Sequence, residues 1–154
     1  MKRLFPSMLM AAAALAGFAT ALPAAAQFAK PEDAIKYRKA NMTLMATHFG
    51  RVAGMASGKI PFDAKLAADN AEMAAAVTKW QFTGFVEGSD KGDTKAEPKI
   101  WTEKDKFNAA GATLQEAVNK LNVAAKGGDL DAIKAAVGDT GKACKACHDT
   151  YQKQ

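Results

Sequence analysis

The sequence predicts an all-α protein with the fold of an antiparallel up-down four-helix bundle. Apolar residues recur in steps of three and four along four separate stretches, which is the period of an amphipathic helix. No stretch shows a convincing alternation of apolar and polar residues, the pattern of a half-buried strand. Two of the three links between the helical stretches are short, which favours antiparallel neighbours in a bundle. The chain has 154 residues, the size of one domain.

The first segment, residues 1–26, is predicted to be a cleaved secretory signal peptide. Lys2 and Arg3 form a basic start, an Ala-rich apolar run follows, and small residues precede a cleavage site before Gln27. The alternative is an uncleaved membrane anchor, but the run is short for a span of ~20 residues and contains a proline and a glycine. We therefore expect an exported protein consisting of residues 27–154, with no membrane segment after cleavage.

The charge of the chain argues against a nucleic-acid partner. The formal net charge is +5 for the full sequence and falls to +3 once Lys2 and Arg3 leave with the signal peptide. Lysines and acidic residues are interleaved, and no basic run carries the aromatic residues that a nucleic-acid surface would show. A solvated surface is the simpler interpretation.

The first two helices are predicted at residues 31–56 and 63–80. Pro31 suits a first helical turn, and two acidic residues follow it at the positive end of the helix dipole. With Arg38 on the same face, the apolar stripe of the first helix comprises Ile35, Met42, Met45, Phe49 and Val52. Asp63 is the predicted N-cap of the second helix. The stripe of that helix comprises Leu66, Asn70, Met73, Val77 and Trp80.

A long connection, residues 83–100, separates the second helix from the third, and such connections are often functional or mobile. The third helix is predicted to start at Thr102, with Asp105 completing a capping-box-like pair. Its stripe comprises Phe107, Gly111, Leu114, Val118, Leu121 and Ala125. The fourth helix is predicted to start at Asp129 as N-cap. Its stripe comprises Leu130, Ile133, Val137, Thr140, Cys144, Cys147 and Tyr151, so the cysteines are expected to point into the bundle.

The last predicted helix contains CKACH, which holds both cysteines of the chain. The C-x-x-C-H pattern indicates covalent haem attachment. Residues i, i+3 and i+4 share a helix face, so Cys144 and Cys147 can each bond a vinyl-derived carbon of a porphyrin while His148 binds the iron. Two alternatives are less favoured: a zinc site lacks a fourth ligand, and a thioredoxin-like dithiol needs a βαβ setting. A disulfide across two residues would add little stability.

A second axial ligand of the iron would have to come from upstream of the motif. His48 lies off the centre of the first helix's stripe, so we expect it at the boundary or the surface. Met42 and Met45 face inward, where methionine is well suited to filling a core.

At this point the sequence resembles the cytochrome c′ family over the whole mature chain. The resemblance is carried by QFAKPEDAIKYR, HFGR, GKIPFDA, KAEPKIW and the closing CKACHDTYQ. It implies a four-helix-bundle homodimer in the bacterial periplasm, with one haem c per chain. It also implies a five-coordinate high-spin iron ligated by His148 alone, Met42 closing the sixth face, and Arg38 and Lys39 at the haem propionates. Gln152 departs from the basic residue that several members carry there.

The function implied is the binding of small neutral gases in an apolar pocket, foremost the sequestration of nitric oxide, with carbon monoxide as another ligand. The alternative is a one-electron carrier in which Met42 is the sixth ligand and redox partner proteins dock near the haem edge. Peroxide turnover ranks third, because the apolar face offers no obvious acid–base residue. We therefore expect a ligand-binding or redox protein and not an enzyme.

Overall fold

The computed structural model describes residues 27–153, so the predicted signal peptide lies outside the described residues. It contains five α-helices within that range: α1 Pro31–Ala56, α2 Ala64–Gln81, α3 Lys99–Thr102, α4 Lys104–Gly127 and α5 Leu130–Tyr151. A 3-10 turn, Phe82–Gly84, follows α2. Across residues 27–153 no β-strand forms, and the only bridge pairs Ala96 with Gln152. The predicted fold class is confirmed, and none of the described helices has the length and hydropathy to cross a membrane.

The four long helices form the bundle and pack in a closed cycle. Helix α1 packs on α2, α2 on α4, α4 on α5, and α5 on α1. At one end, Val52 near the C-terminus of α1 meets Ala67 near the N-terminus of α2, together with Leu121 and Ile133. At the other end, Phe107, Ile100 and Tyr151 form a separate cluster. Consecutive long helices therefore run antiparallel, and the C-terminus of α5 lies in the aromatic end of the bundle.

Two of the three predicted helix caps are present. The Asp63 carboxylate accepts a hydrogen bond from the Leu66 amide at 2.8 Å, and the Asp129 carboxylate accepts from Asp131 and Ala132. Each such cap stabilises a helix by about 1 kcal/mol. Helix α4 is capped at its C-terminus by Gly128, whose φ of 72° is a conformation that favours glycine.

The predicted capping pair at Thr102 is wrong. Thr102 belongs to α3, and its hydroxyl donates to the Lys99 carbonyl at 3.2 Å instead of capping a following helix. The short helix α3 begins at Lys99, with Pro98 as its N-cap, three residues before the predicted start at Thr102. Helix α4 then begins after Glu103, which makes no side-chain cap.

The apolar stripes of α4 and α2 had opposite outcomes. All six predicted stripe residues of α4 are buried. In α2, by contrast, Leu66, Met73 and Trp80 are 44%, 45% and 56% exposed, so this stripe is wrong at these three positions. It is right only for the buried Asn70 and for Val77, which is partly buried against the core. The face that α2 buries consists mainly of small residues: Ala67, Ala71, Ala74, Ala75 and Thr78. Small side chains let neighbouring helix backbones approach closely, and the large apolar residues of α2 are left on the outer face.

Candidate functional site

A cavity of about 540 Å³ lies at the aromatic end of the bundle. Its apolar lining includes Met42, Met45, Phe82, Phe85, Ile100 and Phe107. Its polar lining includes Arg38, Lys39, Asp93, Thr94, Lys95 and Gln152. An amphipathic cofactor with a flat apolar body and two carboxylates matches this combination of aromatic walls and cationic groups.

The C-x-x-C-H motif occupies the last two turns of α5 beside this cavity. Cys147 and His148 line the cavity, whereas Cys144 packs one turn away against the core cluster that contains Met45 and Leu114. Both cysteines are half-buried free thiols. The prediction that they point into the bundle therefore holds in part, because each is only partly enclosed.

The chemistry of these two thiols fits covalent attachment better than dithiol redox exchange. Burial raises the pKa of the Cys144 and Cys147 thiols, so both stay protonated at neutral pH, whereas redox-active cysteines have lowered pKa values. A neutral thiol can add across a vinyl group, with sulfur bonding to one carbon and the proton passing to the other.

Within residues 27–153 no group of three or more His, Cys, Asp and Glu is placed to hold a metal ion.

The backbone around the motif is tied to the long connection. The Tyr151 carbonyl accepts from the Glu97 amide at 3.0 Å, and the Lys153 amide donates to the Lys95 carbonyl at 2.8 Å. Ala96 and Gln152 form the bridge between these two hydrogen bonds. The end of α5, which carries His148, is therefore held against residues 95–97.

Arg38 ties α1 to the same connection. It is only 3% exposed and lies 4.8 Å above the Phe85 ring. Its guanidinium donates to the Gly84 carbonyl at 2.9 Å, and to the hydroxyl and carbonyl of Ser89 and the hydroxyl of Thr94, each at 2.7 Å. All four acceptors are neutral, and burial lowers the pKa of Arg38. A buried cation without a carboxylate partner is costly, so this side chain is suited to receive an anion in the cavity.

Ser89 and Thr94, which orient Arg38, could not be recognised as functional from the sequence pattern. Ser89 is fully buried, yet it lies in a Gly-, Asp- and Lys-rich segment that has no helical or strand period. The only available signal was the length of this connection, which marked it as functional or mobile.

The other basic residues of the cavity differ in their partners. Lys39 forms an ion pair with Asp93 at 2.6 Å, and this contact holds the pKa of the Asp93 carboxyl below its usual range. Lys95 lines the cavity and has no carboxylate partner among residues 27–153.

The structure brings five of the six sequence-predicted site residues together around one cavity: Arg38, Lys39, Met42, Cys147 and His148. Met42 is half-buried, and Met45 is 6% exposed. His48 does not line the cavity; its Nδ1 lies 2.9 Å from the Asn70 side-chain oxygen. This half-buried position between α1 and α2 agrees with the expectation of a boundary residue.

An antiparallel four-helix bundle with a C-x-x-C-H motif on its last helix defines a c-type cytochrome of the helical-bundle class. A family model described as Cytochrome C′ matches residues 33–152. The chain therefore belongs to the cytochrome c′ family, whose proteins carry covalently bound haem c.

Relatives at high identity agree with this assignment. Cytochrome c′ of Rubrivivax gelatinosus is 51% identical over 129 residues, which cover 83% of this chain and 100% of the relative. Cytochrome c′ of Alcaligenes xylosoxydans xylosoxydans is 44% identical, with 83% and 99% covered.

Solved structures show the same fold. The crystal structure of the Rubrivivax gelatinosus protein matches with a TM-score of 0.80 at 52% identity, covering 82% of this chain and 100% of that one. A nitric oxide complex of a mutant cytochrome c prime from Alcaligenes xylosoxidans matches with a TM-score of 0.78 at 42% identity, covering 82% and 98%.

Proposed function

We propose that this chain is a periplasmic haem c protein that binds small neutral gases and sequesters nitric oxide. The observation that carries the proposal is the apolar patch that Met42, Met45 and Ala46 of α1 contribute to the cavity, beside the polar Thr43. A bound haem supplies an iron at which a diatomic gas can bind. Neutral diatomics need no hydrogen bond from the protein, so this apolar patch can admit them without a polar partner.

The motif residues and Arg38 have separate proposed roles in holding the haem. Cys144 and Cys147 form the thioether bonds, since they are free thiols three residues apart on one helix. His148 binds the iron as its protein ligand. Arg38 pairs with a haem propionate, because its buried charge lacks a carboxylate partner among the described residues. Lys39 also contributes positive charge at the propionates, although its ammonium is shared with Asp93.

Met42 is proposed to lie over the open position of the iron without binding it. Its half-buried side chain lines the same cavity as His148, so each incoming gas must move it aside. Nitric oxide tolerates this steric cost because its bond to ferrous haem is strong. No other histidine lines the cavity among the described residues, and the carboxylate of Asp93 is paired with Lys39. The site therefore offers little for acid–base catalysis, which supports a binding role over an enzymatic one.

The partner that the surface supports best is a second copy of this chain. Leu66, Met73 and Trp80 recur every seven residues along the exposed face of α2, and Leu44 of the adjacent helix α1 is 47% exposed. Large apolar residues repeated along one exposed face are typical of a protein–protein interface. A homodimer formed through this face would bury them.

The visible spectrum of the purified protein, recorded with and without nitric oxide, tests the proposal. A host with haem-attachment machinery should yield coloured protein whose mass equals residues 27–154 plus one haem. The reduced protein should show broad high-spin bands that shift when nitric oxide is added. A Cys144→Ser, Cys147→Ser double variant is the control and should lose the covalent haem. Colourless wild-type protein with the mass of the bare polypeptide would overturn the proposal.

A one-electron carrier is the second candidate function. The observation in its favour is the half-buried position of Met42 on the cavity wall, because a methionine there could also bind the iron. Iron ligated on both sides would be low-spin and closed to gases, and redox partner proteins would then be the partners of this site. Sharp bands in the visible spectrum of the reduced protein that do not change when nitric oxide is added would favour electron transfer over gas binding.

A further inference from the structure

A haem brings two carboxylates into the cavity, and three basic side chains line it: Arg38, Lys39 and Lys95. The buried guanidinium of Arg38 suits one propionate. Lys39 already lies 2.6 Å from the Asp93 carboxylate, so Asp93 offsets part of its positive charge. Lys95 differs from both, because no carboxylate within residues 27–153 lies at ion-pair distance from it.

The backbone at Lys95 is fixed on both sides. The hydroxyl of Thr94 accepts from Arg38 at 2.7 Å and from the Ala96 amide at 3.1 Å. The Lys95 carbonyl accepts from the Lys153 amide at 2.8 Å, and Ala96 is buried in its bridge to Gln152. The start of this side chain is therefore held at the cavity, and binding an anion orders only its flexible stem.

The geometry points to Lys95 as the partner of the second haem propionate, supplied by the connection between α2 and α3. Arg38 then serves the site twice, because it pairs with one carboxylate and also holds Thr94, the neighbour of Lys95. This inference rests on the proposed haem binding and names a residue that the motif and the first helix do not supply. An ammonium beside a propionate in a partly enclosed cavity interacts more strongly than a charge in open solvent.

The test compares Lys95→Gln with Lys99→Gln in the haem-loaded protein. Lys99 is a matched control because, like Lys95, it is exposed and has no carboxylate partner in the described range. It lies four residues further along the chain and does not line the cavity. Its ammonium is 5.8 Å from the centre of the Tyr151 ring. Removing either lysine removes one positive charge, so only a direct contact with the propionate distinguishes the two variants.

The reduction potential and its dependence on pH are the readouts. Lys95→Gln should lower the potential, because a positive charge favours reduced haem, and should raise the pKa of the propionate that titrates with the potential. The shift should exceed that of Lys99→Gln by about twofold or more when both variants are measured at the same ionic strength. Lys95→Arg should restore the wild-type potential.

Equal shifts in the Lys95→Gln and Lys99→Gln proteins would overturn the assignment of Lys95. Failure of the haem site itself gives a different result, since wild-type protein would then lack covalent haem by mass. That outcome would remove the proposed function and this inference together.

Discussion

Thr94→Val tests whether the long connection is anchored to the bundle through Arg38. The Thr94 hydroxyl accepts two hydrogen bonds, from the Arg38 guanidinium at 2.7 Å and from the Ala96 amide at 3.1 Å. A bond from a charged donor contributes about 1.5–3 kcal/mol and a neutral one about 1 kcal/mol. Because Arg38 keeps its bonds to Ser89 and Gly84, we expect the free energy of unfolding to fall by about 2 kcal/mol.

The assay is urea unfolding of the haem-loaded protein, followed by circular dichroism. Thr113→Val is the matched control, because Thr113 is exposed on α4 and its hydroxyl contacts only the Ala109 carbonyl of its own helix. The control should stay within about 0.5 kcal/mol of wild type, as surface substitutions usually do. If Thr94→Val is equally neutral, or if both variants lose the same stability, the anchoring role of Arg38 and Thr94 is refuted.

Three further predictions follow from the cavity wall, the outer face and the core. Met42→Ala should speed nitric oxide binding by about tenfold in stopped-flow measurements, because the gas no longer has to move this side chain aside. The spectrum without gas should stay high-spin, and a changed spectrum would instead mean that Met42 ligates the iron. Met73→Lys should convert the dimer to monomer in sedimentation equilibrium, whereas Val123→Lys, at a 72% exposed apolar residue of α4, should not; a persistent Met73→Lys dimer contradicts the proposed face. Gln81→Met should raise the free energy of unfolding by about 1 kcal/mol, because the fully buried Gln81 amide has no hydrogen-bond partner among the described residues; a loss of stability in urea would contradict this.

The parts of the fold that the sequence predicted well are those in which large apolar residues decide the packing. Helix α4 buries its whole predicted stripe because its large apolar side chains, such as Phe107, Leu114 and Leu121, all lie on that one face. Asp63 and Asp129 were recognisable because a carboxylate directly before a helix has a defined acceptor role. The motif at the end of α5 was equally readable, since its spacing alone brings two thiols and an imidazole onto adjacent positions of one face.

The failures share a physical cause, namely that the deciding contact lies outside the local pattern. Alanine fits either face of a helix, so Ala71 and Ala74 carried no signal that they, and not Met73, face the core. Nothing in a glycine-rich segment indicates that Ser89 accepts from an arginine 51 residues earlier. Likewise, the role of Thr102 depended on Pro98 starting a separate turn.

The distribution of small and large side chains along the helices explains why the cavity forms at one end of the bundle. At the far end, Ala67, Ala71 and Ala125 are almost fully buried beside Val52 and Leu121, so the helices pack closely there. At the motif end the large rings line a space, with Phe85 and Phe107 in edge contact at 4.8 Å and Tyr151 packed on Phe107. The connection ties this end to α1 through Arg38 and to α5 through Ala96. The helices therefore pack closely at one end of the bundle and are held apart at the other. This arrangement can enclose a large flat cofactor while α1 and α5 stay folded.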